Sequence, residues 1–75
     1  MSNAENWRAE LRDECWKRKY QGVVLTVYYC DRANSYEGHA YLNDRNHVSG
    51  HSVGTFSEAA RIAIALAERM LAVQP

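Results

Sequence analysis

Two periodicities divide the chain. Across residues 55–73, TFSEAARIAIALAERMLAV, apolar positions recur at helical spacing. Ser57, Arg61, Ala65, Glu68 and Ala72 fall on one narrow arc, with Glu58 and Arg69 at its edges. The remaining positions give an apolar arc about 200° wide, broader than the stripe of an ordinary surface helix. Thr55 and Glu58 have the spacing of a capping box, and Gly54 precedes them. Pro75 marks a stop. This pattern predicts a core helix covered on more than one side, by a sheet and by another helix or a second subunit.

The first quarter of the chain also fits helical spacing. Ser2, Asn3, Ala4 and Glu5 repeat the capping logic. Trp7, Leu11 and Cys15 then recur at every fourth position, near Ala4 and Trp16. The charged residues fill the rest, and Lys17, Arg18 and Lys19 crowd the last turn, where cations suit the helix dipole. A first helix ending near Lys19 is predicted. Gln21 and Gly22 break that pattern.

Period-two segments fill the middle. Residues 23–30, VVLTVYYC, are β-branched and aromatic and apolar on both parities, as in a central strand. Residues 31–35, DRANS, are turn formers. Residues 36–43 alternate, with Tyr36, Gly38, Ala40 and Leu42 on one side and Glu37, His39, Tyr41 and Asn43 on the other. Residues 44–46 turn the chain. Residues 47–53, HVSGHSV, make a weaker third strand in which Gly50 marks a bulge or close approach. The expected fold is α+β, of order α-β-β-β-α. It is a three-stranded antiparallel sheet with two helices packed on one face, and residues 1–75 form a single small domain.

That order resembles the double-stranded-RNA-binding domain, whose glycine-bearing third strand leads into an alanine-rich helix. Gly50, Gly54, Thr55, Glu58, Ala59, Ala63, Ala67 and Leu71 carry the likeness. Phe56, Ser57, Ala60 and Arg61 stand where that family carries its phosphate-binding lysines. Shorter stretches resemble the three-stranded AP2-type DNA-binding fold: Tyr20-Gln21-Gly22-Val23, Val53-Gly54-Thr55-Phe56 and Glu58-Ala59-Ala60-Arg61. Both resemblances imply an architecture and, through it, a nucleic-acid partner.

Charge argues the other way. Nine Lys and Arg balance nine Asp and Glu, so the formal charge is zero, whereas nonspecific nucleic-acid binders are usually basic. A chain of 75 residues buries only about 60% of its unfolded surface, so pairing with a second copy would stabilise it. No run of residues is apolar enough for a membrane span or a secretory leader, and a cytoplasmic location is expected. Cys15 and Cys30 match neither a metal motif nor a redox pair and read as reduced, buried thiols.

Of the chemistry-bearing residues, the open side of the sheet collects the most. Thr26, Tyr28, His39, Tyr41 and, less securely, His51 share it if both helices cover the other side. Such a face suits docking or stacking. His39, His47 and His51, with Asp44 or Cys30, lack any established zinc spacing, so neither metal nor cofactor is expected. Ser49, Ser52 and Cys30 have no partner at catalytic spacing, and no enzyme is expected. The leading expectation is a non-catalytic binding module, a regulator or inhibitor acting by protein–protein contact. Its contacts would be Tyr28, Tyr36, His39 and Tyr41, with Arg45 and His47 on the adjoining loop, and its partner another protein or a second copy. The alternative is a nucleic-acid-binding domain using Lys17, Arg18, Lys19, Arg45 and Arg61. Three histidines, which titrate near physiological pH as a class, make either contact a candidate for pH control.

Overall fold

A computed structural model describes residues 7–10, 15–43 and 45–73. Five strands precede one helix: β1 (Arg8–Glu10), β2 (Cys15–Tyr20), β3 (Val23–Cys30), β4 (Ser35–Asn43), β5 (Asn46–Ser49) and α1 (Phe56–Ala72). The strands lie in sequence order, each antiparallel to the next.

This overturns the expected α-β-β-β-α order, its three-stranded sheet and its pair of helices. The described part of the first predicted helix is strand instead. The double-stranded-RNA-binding architecture, which needs that helix, does not hold. The 2–5 capping segment, Leu11, Asp44 and Pro75 lie outside the described residues.

The reason sits at residues 21 and 22. Gln21 has φ 52° and Gly22 φ 87°. Two consecutive positive φ values belong to a two-residue hairpin turn of the primed type, whose twist matches two antiparallel strands. Such a turn requires a strand on both sides, and Tyr20 pairs directly with Val23. Residues 15–20, CWKRKY, satisfy period two as well as they satisfy a helix. Trp16, Arg18 and Tyr20 point one way and Cys15, Lys17 and Lys19 the other, by their register with β3. Pairing with a strand apolar on both parities decided between the two.

The helix begins as its capping box predicts. Thr55 is extended, and its hydroxyl oxygen accepts the Glu58 amide at 3.2 Å. The reciprocal bond differs in detail. The Thr55 hydroxyl donates to Glu58 Oε1 at 3.0 Å.

α1 packs mainly on β4 and β3. Ala59, Ala60, Ala63, Ala67 and Met70 bury against Val23, Leu25, Val27 and Ala40. The flank assigned to another helix is closed by aromatic rings. Trp7 and Trp16 meet Phe56 edge-on at 5.6 and 5.2 Å between centroids, and Tyr36 reaches it at 6.3 Å. After β5, Gly50 donates to the Gly38 carbonyl at 3.0 Å and Val53 bridges to Tyr36, so the chain runs along β4 before entering the helix.

At the far end of β2, the Tyr20 hydroxyl donates to Glu68 Oε2 at 2.9 Å, tying sheet to helix. That bond, with some burial and the Glu68 charge, raises the Tyr20 pKa above its ordinary value, while Arg18 opposes the shift. A raised pKa means that the folded state holds the phenol proton more tightly. The bond's contribution is therefore complete below about pH 10 and is lost as pH climbs through the folded-state value. Tyr20→Phe is expected to abolish this component of alkaline destabilisation. Thermal melts at pH 8 and pH 11 check it: the variant's drop between them should be the smaller.

Candidate functional site

Because α1 covers one side of the sheet, register alone decides which side chains share the other. Cross-strand partners lie on one face. One row across the side away from α1 is Arg8, Lys17, Thr26, His39 and Ser49; the next is Lys19, Val24, Tyr41 and His47. A third runs through Cys15, Tyr28 and Glu37. The Glu37 carboxylate thus stands at the Cys15 end, and Lys19 stands at the other.

Exposure follows the same layout. Arg8, Lys17, Lys19 and His47 are exposed, and Tyr28 is 43% exposed. Thr26, between Lys17 and His39, is only 6% exposed, and Cys15 is buried. The strand between the cations and the rings thus carries the small Thr26 and Val24 as a low floor. A shallow hollow of about 380 Å³ opens beside it, lined by Arg8, Lys17, Arg18, Lys19 and Val24.

The rings form a chain of contacts. Tyr28 meets His39 edge-on at 4.9 Å, His39 lies 5.3 Å from His47, and His47 meets Tyr41 edge-on at 5.9 Å. Hydrogen bonds hold the middle of that chain. His39 Nε2 is 3.2 Å from Glu37 Oε1, and His39 Nδ1 is 3.2 Å from His47 Nε2. The Ser52 hydroxyl donates to Glu37 Oε2 at 3.1 Å. One proton arrangement satisfies all of these with ionised Glu37 and neutral rings: His39 donates from Nε2 to the carboxylate and accepts at Nδ1 from His47. The two imidazoles are thereby fixed in orientation.

The structure brings Tyr28, His39 and Tyr41 to one face, as the alternation in the sequence suggests, and adds His47, which lies in β5 opposite Tyr41 rather than on a loop. Tyr36 lies on the helix side, against Trp16, Tyr29 and Phe56. His51 is also on that side, in a hollow with Val53, Glu58, Arg61 and Ile62. Arg45 is exposed in the turn between β4 and β5, where its amide donates to Asn43 Oδ1 at 2.9 Å. The cations of the nucleic-acid alternative separate. Lys17 and Lys19 are on the open face, while Arg18 and Arg61 border a cleft with Trp7 and Ala60 on the helix side.

Two contributors escaped the sequence reading. Arg8 was absorbed into the polar side of a helix, and only pairing opposite Lys17 brings it to this face. Glu37, two residues from His39 on one strand, carried its signal in that spacing. Among the described residues no group of three His, Cys, Asp or Glu side chains is placed to hold a metal ion. Cys15 is buried as expected, and Cys30 is exposed rather than buried. No described helix is long and apolar enough to cross a membrane. Comparison of the chain with protein-family models, curated proteins and solved structures finds no match.

Proposed function

We propose that the protein is a non-catalytic binding module that engages nucleic acid through the uncovered face of its sheet. One observation carries the reading: Arg8, Lys17 and Lys19 share a sheet face with the contacting rings of Tyr28, His39, Tyr41 and His47. Cations neutralise phosphates and rings accept bases, and a nucleic acid offers both at once. The helix on the other side is charge-balanced, with Glu58 and Glu68 against Arg61 and Arg69, so the support is the local row of cations and not the net charge.

The test is fluorescence anisotropy with labelled oligonucleotides at 50 and 200 mM salt. Three phosphate contacts to a single strand release about 0.7 counterion each, so affinity should fall roughly 20-fold over that range. Binding that ignores salt, or no binding at 50 mM, contradicts the reading.

A second reading keeps the protein partner expected from the sequence. Val48, 40% exposed on the edge strand β5, borders a hollow of about 470 Å³ with Leu66, Met70 and Val73. That surface suits another protein or a second copy of this chain. Light scattering at increasing concentration tests the latter, and a constant monomer mass rejects self-association.

A further inference from the structure

Resting on the nucleic-acid reading, we infer that this face selects single-stranded over duplex nucleic acid. Phosphates would run along β2 over Lys17 and Lys19, and bases would lie across β3 onto Tyr28, His39 and Tyr41. Three features of the face support the selection.

The first is spacing. Lys17 and Lys19 are two residues apart on one side of β2, which separates them by roughly 7 Å along the strand. The ring-bearing strand β4 lies two strand spacings away, roughly 10 Å. Between them the floor is Thr26 and Val24, low enough for a base to cross. A strand of nucleic acid laid parallel to β2 thus meets cations on its backbone side and rings on its base side.

The second is width. The five strands of the sheet span roughly 19 Å between their outermost members at about 4.8 Å per neighbour. A B-form major groove is about 12 Å wide. The face therefore lies on a duplex rather than entering it, and touches phosphates without reaching bases. Its rings would then gain nothing, because duplex bases are stacked on one another.

The third is preorganisation. The bonds from Glu37 through His39 to His47 hold the two imidazoles in place, and Tyr28 packs edge-on against His39, so stacking on this cluster costs less side-chain entropy than stacking on free rings. Stacking on aromatic side chains is sequence-tolerant, and a single strand of any composition should bind.

Anisotropy with a mixed-sequence 12-nucleotide single strand and its duplex, both at 100 mM salt, tests this. The single strand should bind at least 10-fold more tightly. Tyr28→Ala should weaken the single strand by on the order of 10-fold and leave the duplex unchanged, and Tyr28→Phe should restore affinity. Circular dichroism confirms the fold of each variant, and the Phe variant keeps the comparison meaningful if the Ala variant melts. Equal affinity for both forms, or Tyr28→Ala weakening both alike, overturns the inference while leaving nucleic-acid binding in place. Failure of both forms to bind overturns the underlying reading as well.

Discussion

Replacing Gly38 by alanine should come close to unfolding the domain. Gly38 sits in β4 directly beneath the helix. A Cβ there would run into the Ala59 carbonyl oxygen and stand 3.0 Å from the Ala63 amide nitrogen. Both obstacles are helix backbone, so relief requires α1 to lift from the sheet and give up the packing of Ala59, Ala63 and Ala67 on Leu25 and Val27. A cost of about 3 kcal/mol or more is expected, at the upper end of overpacking effects. A chain of this length has roughly 4–11 kcal/mol in total, so the melting temperature should fall by about 12–24 °C. Gly50→Ala provides the contrast. Its Cβ meets the Cγ2 methyl of Ile62, a side-chain atom rather than backbone but one whose χ1 the helix restricts, and about 1–2 kcal/mol is expected. Equal effects at the two glycines would mean that the strand and helix are not in backbone contact at Gly38.

The double substitution Lys17→Glu with Lys19→Glu should abolish most nucleic-acid affinity. A unit charge pair at about 5 Å contributes roughly 0.8 kcal/mol in water. Reversal changes the sign at each site, so two sites cost about 3 kcal/mol before screening. Weakening of roughly 100-fold at 100 mM salt is expected. The matching control is Arg61→Glu with Arg69→Glu on exposed positions of α1, which changes the net charge equally. Affinity should stay within about 3-fold of the parent. Similar losses from both pairs would show that overall charge, rather than this face, governs binding. Neither pair is buried, so both variants should keep the fold, which circular dichroism checks.

The parts of this account that were legible in the sequence share a cause. The helix announced itself through a cap and a wide apolar arc, because both signals are local. The strand alternation at Glu37, His39 and Tyr41 was legible for the same reason. Residues 15–20 were not, because Trp7, Leu11 and Cys15 fit a helix period while Trp16, Arg18 and Tyr20 fit a strand period. The deciding term was tertiary: a primed turn at Gln21-Gly22 and a partner strand that needed neighbours on both sides. That one misassignment hid how the cations of the candidate site are arranged. On a helix Lys17, Arg18 and Lys19 form one cluster. On a strand Arg18 turns away to the helix side, and Lys17 and Lys19 line up with Arg8 instead. Tyr36 was misplaced by assigning function to tyrosines as a class, although its parity with Gly38 and Ala40 already marked it for the covered side.

In the proposed reading α1 occupies one side of the sheet and the other side binds. Amide chemical shifts in a ¹⁵N-labelled sample titrated with the single-stranded 12-mer address it directly. The largest changes should fall on Lys17, Lys19, Thr26, Tyr28, His39 and Tyr41, with Arg61, Ala65 and Glu68 unmoved. Shifts concentrated along the exposed side of α1, with the sheet residues silent, would contradict it.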